Sequence, residues 1–161
     1  MLLAELQWRQ GHVEEAAASL ESAFISCRKN PWPMMPVFVH ALILAERIAL
    51  EDKSRKLADR LYRALEEPFA VFFLEERREE TLLRIARLLD EKGFSGYTLK
   101  ALMLLEPHFP WDGDRLLLRE NCYRALHHPL AALARRELDL FMKYEPKVFD
   151  QAAKIDGTTA R

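Results

Sequence analysis

Four prolines divide this 161-residue chain at a nearly constant interval. Pro31, Pro68, Pro107 and Pro146 are 37, 39 and 39 residues apart, each preceded by Asn30, Glu67, Glu106 or Glu145 at the end of an apolar helical pattern. Proline has no N–H to donate and its ring collides with the preceding turn, so each one closes a helix. A second, weaker interruption falls inside each period, at Gly11, Glu51-Asp52-Lys53, Gly93 and His127-His128-Pro129. Two interruptions per period give two helices per unit, and periods of this length belong to stacked helical hairpins.

Apolar spacing of 3.6 residues between the interruptions predicts helices over 2–10, 13–28, 37–50, 54–66, 97–105, 115–126 and 130–144, with a further core pattern at Leu82, Leu83, Ala86 and Leu89 that ends at Gly93. Ala16, Leu20, Ala23, Phe24 and Cys27 form the expected buried stripe of the second helix. Gly11 suits the left-handed stop of the first helix, Asp112 and Asp114 suit the cap of the seventh, and Pro129 suits the first turn of the eighth. A small terminal helix is expected at 147–154. No alternating run is bounded by hairpin turns, so no sheet is expected. The predicted fold class is all-α, a stack of antiparallel helical hairpins forming a single domain over 1–154, with a frayed tail at 155–161.

Composition agrees with such a domain. Half the residues are hydrophobic and 30% are charged, with only 5 glycines and 8 prolines, which excludes a disordered or collagen-like chain. A chain of this length buries roughly two thirds of its unfolded surface and needs no disulfide or metal to fold. The longest nearly apolar stretch, 37–45, is interrupted by His40 and is too short for a membrane span. Residues 1–80 carry 11 basic and 14 acidic side chains, and 81–161 carry 13 and 11. Neither half has a nucleic-acid footprint. An acid at position 5 and no basic residue ahead of the apolar start are the reverse of a secretory signal, and Cys27 and Cys122 read as two reduced thiols. A cytoplasmic location is expected.

The order Gly11, Ala16, Leu20, Ala23, Phe24 and, later than usual, Pro31 resembles the tetratricopeptide-type repeat. Leu61, Ala64 and Pro68 keep part of that order in the second unit, which lacks the glycine. Gly93 and Pro107 keep part of it in the third, where Thr98 holds the small-residue position. The fourth keeps Ala134, Leu138 and Pro146, with His127-His128 in place of the glycine. The resemblance implies a right-handed solenoid of about four hairpins that binds a protein or peptide. The carboxylate clamp of some co-chaperone members is not recognisable, because its Lys and Asn positions are not jointly filled. A narrower likeness joins 11–16 (Gly-His-Val-Glu-Glu-Ala), 30–33 (Asn-Pro-Trp-Pro), 67–71 (Glu-Pro-Phe-Ala-Val) and 128–131 (His-Pro-Leu-Ala). These look like the helical tails of bacterial polyamine-synthase-like fusion proteins, which implies that any chemistry belongs to another domain.

The residues themselves suggest no catalysis. Adjacent histidines 127 and 128 point about 100° apart on a helix end, with no ligand at metal spacing. His12, His40 and His108 lack a partner at i+4, and neither cysteine sits in a nucleophile motif. The run 75–80, Glu-Glu-Arg-Arg-Glu-Glu, reads as a solvated face in which Glu75 compensates Arg78 and Arg77 compensates Glu80 at i, i+3. Five glycines leave little room for a phosphate-cradling loop. The chain is therefore expected to be no enzyme, with no cofactor and no metal.

Each proline is followed by aromatics: Trp32, Phe69 with Phe72 and Phe73, Phe109 with Trp111, and Phe149. All but the last are expected to fill the seams between hairpins. Seven consecutive apolar residues, 68–74, exceed what a connector carries, so this segment crosses beneath a hairpin or meets another chain. The leading expectation is a non-enzymatic interaction scaffold whose first helices receive a protein or peptide, with Arg77, Arg84 and Arg119 available to partner carboxylates and Phe69 and Phe72 adding apolar contact. The alternative is a C-terminal helical appendage that positions or dimerises the catalytic domain of a larger enzyme. It draws on an N-terminus that enters helix at once, with no capping residue and no polar cap repeat. Leu2, Leu3 and Leu6 share one side of the first helix while Trp8 lies about 160° away from Leu6. An exposed apolar end is expected there, serving an upstream domain or a homodimer through the N-terminal hairpin. Neither nucleic acid nor membrane is an expected partner.

Overall fold

The computed structural model describes residues 2–30, 32–52, 55–90, 93–94 and 96–145. Among them the chain is all-helical, with no strand and with eight helices: α1 (Leu2–Arg9), α2 (Val13–Lys29), α3 (Met35–Glu51), α4 (Lys56–Leu65), α5 (Phe72–Asp90), α6 (Tyr97–Met103), α7 (Gly113–Ala125) and α8 (Ala131–Tyr144). The expected helices at 2–10, 13–28, 37–50, 54–66, 97–105, 115–126 and 130–144 each have a counterpart. The segment 147–154 and the tail lie outside the described residues. None of the described helices is long and apolar enough to cross a membrane.

The chain divides into two compact units, Met1–Ala101 and Leu102–Arg161. In the first, α1 packs on α2, α2 on α3 and α4, α3 on α4 and α5, and α4 on α5. Ala16, Leu20, Phe24 and Cys27 are buried along α2, together with Ala17. Ala23 is only half-buried. The stripe therefore takes in Ala17 and leaves Ala23 half out, on a helix that packs against α1, α3 and α4. Leu57, Ala58, Leu61, Tyr62 and Leu65 line the buried side of α4 at helical spacing.

Each hairpin turns by its own device. Gly11 at φ +81 ends α1 in the left-handed region that glycine enters cheaply. After α3, the Asp52 carboxylate accepts from the Leu57 and Ala58 N–H groups, at 2.6 and 3.1 Å. After α5, the Asp90 carboxylate accepts from the Tyr97 and Thr98 N–H groups, at 3.1 and 2.9 Å. Both aspartates satisfy N–H groups that have no partner within the first turn of a helix, and both place negative charge at its positive end.

The second unit pairs α7 with α8. Asp112 caps α7 by accepting from the Arg115 N–H at 2.9 Å, as its position predicts. His127 takes φ +51 past the end of α7. His128 stacks on Tyr123 with ring centroids 4.4 Å apart, and its Nδ1 accepts from the Leu130 N–H at 3.3 Å. This pair is a turn, in keeping with the linker expectation. Helix α8 begins at Ala131, two residues beyond Pro129. Leu116, Leu138 and Phe141 form its core, with Phe109 packed against them.

Candidate functional site

The first helices α3 and α5 lie side by side and leave a groove of about 100 Å³ between them, lined by Val39, Leu42, Ile43, Glu46, Arg77, Glu80, Thr81 and Arg84. Leu42 is buried at its floor, whereas Ile43, one position on, is exposed. The charged residues bridge the two walls. Arg84 donates to both oxygens of Glu46, at 3.0 and 3.2 Å, and also bonds Glu80. Arg77 bonds Glu80 at 2.7 Å. The hydrogen bond that Arg84 donates to Glu46 foremost, with the negative charges of Glu46 and Glu80 adding to it, holds the Arg84 pKa above the usual arginine value. The groove thus combines a short aliphatic strip with guanidinium groups that remain mostly exposed while compensated within the chain. Such a surface can bind an aliphatic side chain flanked by a carboxylate by exchange of ion-pair partners.

The residues singled out by sequence fall into three groups. Arg77 and Arg84 are brought together in this groove. Leu6 is exposed on α1, as is Leu3, whereas Trp8 is half-buried and donates its Nε1–H to Glu51 at 3.2 Å. The side chain of Leu2 lies outside the described residues. Beside them, a hydrogen bond from His40 holds the Glu5 carboxylate below its ordinary pKa. Phe72 is exposed at the start of α5.

Phe69 and Arg119 are elsewhere. Phe69 is buried against Phe24, ring centroids 5.8 Å apart. Arg119 is 1% exposed. It contacts Glu106 at 2.7 Å, bonds Glu137, and lies over the Phe109 ring at 4.5 Å. A guanidinium so enclosed is not presented to a partner; it ties α7 to α8 and to the segment before α7.

The seam expectation for the aromatics holds at Phe69 and in part at Phe109, which is half-buried. It fails at Trp32, Phe72, Phe73 and Trp111, which are exposed. The run 68–74 splits accordingly: Phe69 and Leu74 are buried, and the rings at 72 and 73 emerge where α5 begins. The solvated-face reading of 75–80 holds for Glu76 and Arg77, which are exposed, but not for Arg78. That side chain is buried, bonded to Glu75 and to the Leu65 carbonyl. The i, i+3 spacing to Glu75 was visible; the carbonyl at the end of α4 was not.

A second groove, about 340 Å³, lies between α4 and α6 and was not foreseen. Tyr97 donates to Asp59 at 2.9 Å, Arg63 pairs with Asp59 at 3.0 Å, and Lys100 pairs with Glu66. Its polar groups answer one another. No group of three metal-ligating side chains occurs among the described residues. Compared with known proteins, the chain matches no family model, no curated protein and no solved structure.

Proposed function

We propose that this chain is a non-enzymatic interaction scaffold, a right-handed tetratricopeptide-like stack of hairpins that binds a segment of another protein across its first helices. The observation that carries the reading is the α3–α5 groove, where Val39 and Ile43 lie between Arg77 and Arg84. Support for the stacking comes from the order of contacts, first helix α3 on first helix α5 and second helix α2 on second helix α4. The buried thiols of Cys27 and Cys122 fit a reducing, cytoplasmic setting. The fitting ligand is a peptide with an aliphatic side chain over Ile43 and a carboxylate within reach of Arg77 or Arg84.

Selection from a displayed peptide library, followed by fluorescence anisotropy, tests this. Aliphatic–acidic sequences should be enriched, and Ile43→Asp and Arg77→Glu should each abolish their binding without unfolding the chain. Binding that is indifferent to both variants would place the function elsewhere.

One observation favours a second reading, that of a helical appendage to a larger enzyme. Leu3 and Leu6 are both more than half exposed on α1, an apolar face suited to packing on a further domain. Protection of these residues from hydrogen exchange when a catalytic domain is supplied in the same polypeptide would favour it.

A further inference from the structure

The most exposed apolar side chains form an edge distinct from the groove above: Trp32 is 88% exposed, Met34 70%, Phe72 92% and Phe73 72%. Scattered single hydrophobics are ordinary on a surface, but four large ones at one place are not.

Their proximity follows from the register of α3 and α5. Val39 and Arg77 line the same groove, and Glu46 meets Arg84 at 3.0 Å. Both pairs are separated by thirty-eight residues, so the helices run parallel. The same offset at their starts sets Met34 beside Phe72. Trp32 is two residues before Met34, and its N–H donates to Asn30 Oδ1 at 2.9 Å, which holds the turn that carries the ring. Arg28, the penultimate residue of α2, reaches the Ala64 carbonyl of α4 and Glu67, 3.2 Å away, in the connector to α5.

We propose that this aromatic edge is the contact by which two copies of the chain associate. Aromatic side chains bury about 150–250 Å² each, so three open rings and a methionine present roughly 500–700 Å². That stands at the upper end of the roughly 300–600 Å² of a monomer's largest patch and approaches the roughly 800 Å² per partner of a stable interface. The edge is also self-complementary in charge. Lys29 is exposed on the Trp32 side, and Glu76 on the Phe72 side, one turn along α5. A two-fold axis lays the Trp32 side of one copy on the Phe72 side of the other, which matches rings with rings and Lys29 with Glu76 in both halves. An anionic bilayer suits the edge less well, because Glu67 and Glu76 flank the rings.

Sedimentation velocity of the whole chain, from low to high micromolar, tests the proposal. The wild type should be a reversible dimer, and Trp32→Ser or Phe72→Ser should yield a monomer with unchanged helical circular dichroism. Lys29→Glu and Glu76→Lys should each raise the dissociation constant about tenfold and restore it when combined. These charge variants carry the test even where a ring variant fails to fold. A wild type that stays monomeric overturns the proposal. So does a dimer lost on Leu3→Ser with Leu6→Ser but kept on Phe72→Ser, or a charge pair that does not restore. A monomer that pellets with phosphatidylserine vesicles overturns it in favour of a membrane.

Discussion

Arg84 of α5 grips the Glu46 carboxylate of α3 with one nitrogen 3.0 and 3.2 Å from its two oxygens, thirty-eight residues back along the chain. Tyr97 of α6 donates to Asp59 of α4 across the same interval, at 2.9 Å. Two helix pairs therefore repeat with one offset, and it falls within the 37–39 residue spacing of the prolines. Within the first unit, sequence period and spatial period coincide, since α3 packs on α5 and α2 on α4.

The Arg84–Glu46 pair marks register and adds little stability. Arg84 is more than half exposed, and pairs of this kind contribute about 0.2–1 kcal/mol. Glu46→Gln should shift a urea midpoint only slightly. Leu20→Ala, within the fully buried stripe of α2, should cost about 2–5 kcal/mol. Ala16→Glu should do still more damage than Ala23→Glu, since Ala16 is buried and Ala23 only half-buried. Equal losses for the two glutamates would show that the orientation of α2 is wrong.

The aspartate turns also recur at the thirty-eight-residue interval, at Asp52 and Asp90, and each accepts two backbone N–H groups. Asp90→Ala should cost about 1–3 kcal/mol because it leaves N–H groups unsatisfied where water enters poorly. Asp90→Asn keeps an acceptor oxygen and should cost less. Hydrogen exchange offers a local readout: the Tyr97 and Thr98 amides should lose protection in Asp90→Ala.

These turns show where sequence reasoning reached and where it stopped. Gly11, Asp112 and the apolar runs of helical spacing act on their own neighbours, so the helices and one cap were legible locally. Asp52 stood in a recognised interruption, yet its role depends on carrying the chain around to Leu57. Arg78 and Arg119 read as surface charges because arginine is seldom buried. Their burial depends on acceptors from other segments, the Leu65 carbonyl for one and Glu106 with Glu137 for the other. Trp32 and Phe72 erred in the opposite direction. Apolar character alone assigned them to a seam, but their places at a turn and at a helix start point them away from it.

Arg119 should be the most sensitive charged position in the second unit. Burial opposes its charge, yet the hydrogen bond to Glu137 and the Glu106 and Glu137 carboxylates outweigh that and raise its pKa above the ordinary arginine value. Tyr123 donates to the same Glu106 oxygen at 2.9 Å. Arg119→Ala should cost about 3–5 kcal/mol, chiefly because Glu106, only 11% exposed at its side chain, is left without its counter-ion. Adding Glu106→Gln to Arg119→Ala should recover part of the loss. If thermal unfolding of Arg119→Ala matches the wild type, the cluster does not hold α7 to its neighbours.

The buried acids predict an alkaline limit. Burial pushes the Cys27 thiol from its ordinary 9.0 to about 11, and burial likewise raises the phenols of Tyr62 and Tyr123. The folded chain keeps these groups neutral at a pH where the unfolded chain has begun to release their protons. The Cys27 contribution is therefore complete below about pH 9 and declines as the pH rises toward 11, while that of the phenols begins to fall only above their ordinary 10.0. Two pKa units on Cys27 correspond to about 2–3 kcal/mol. Urea midpoints measured from pH 8 upward should fall over that window. Cys27→Ala should start lower, because it removes a fully buried sulfur, but decline less steeply over the same range. Parallel declines for Cys27→Ala and wild type would show that the thiol does not set the limit.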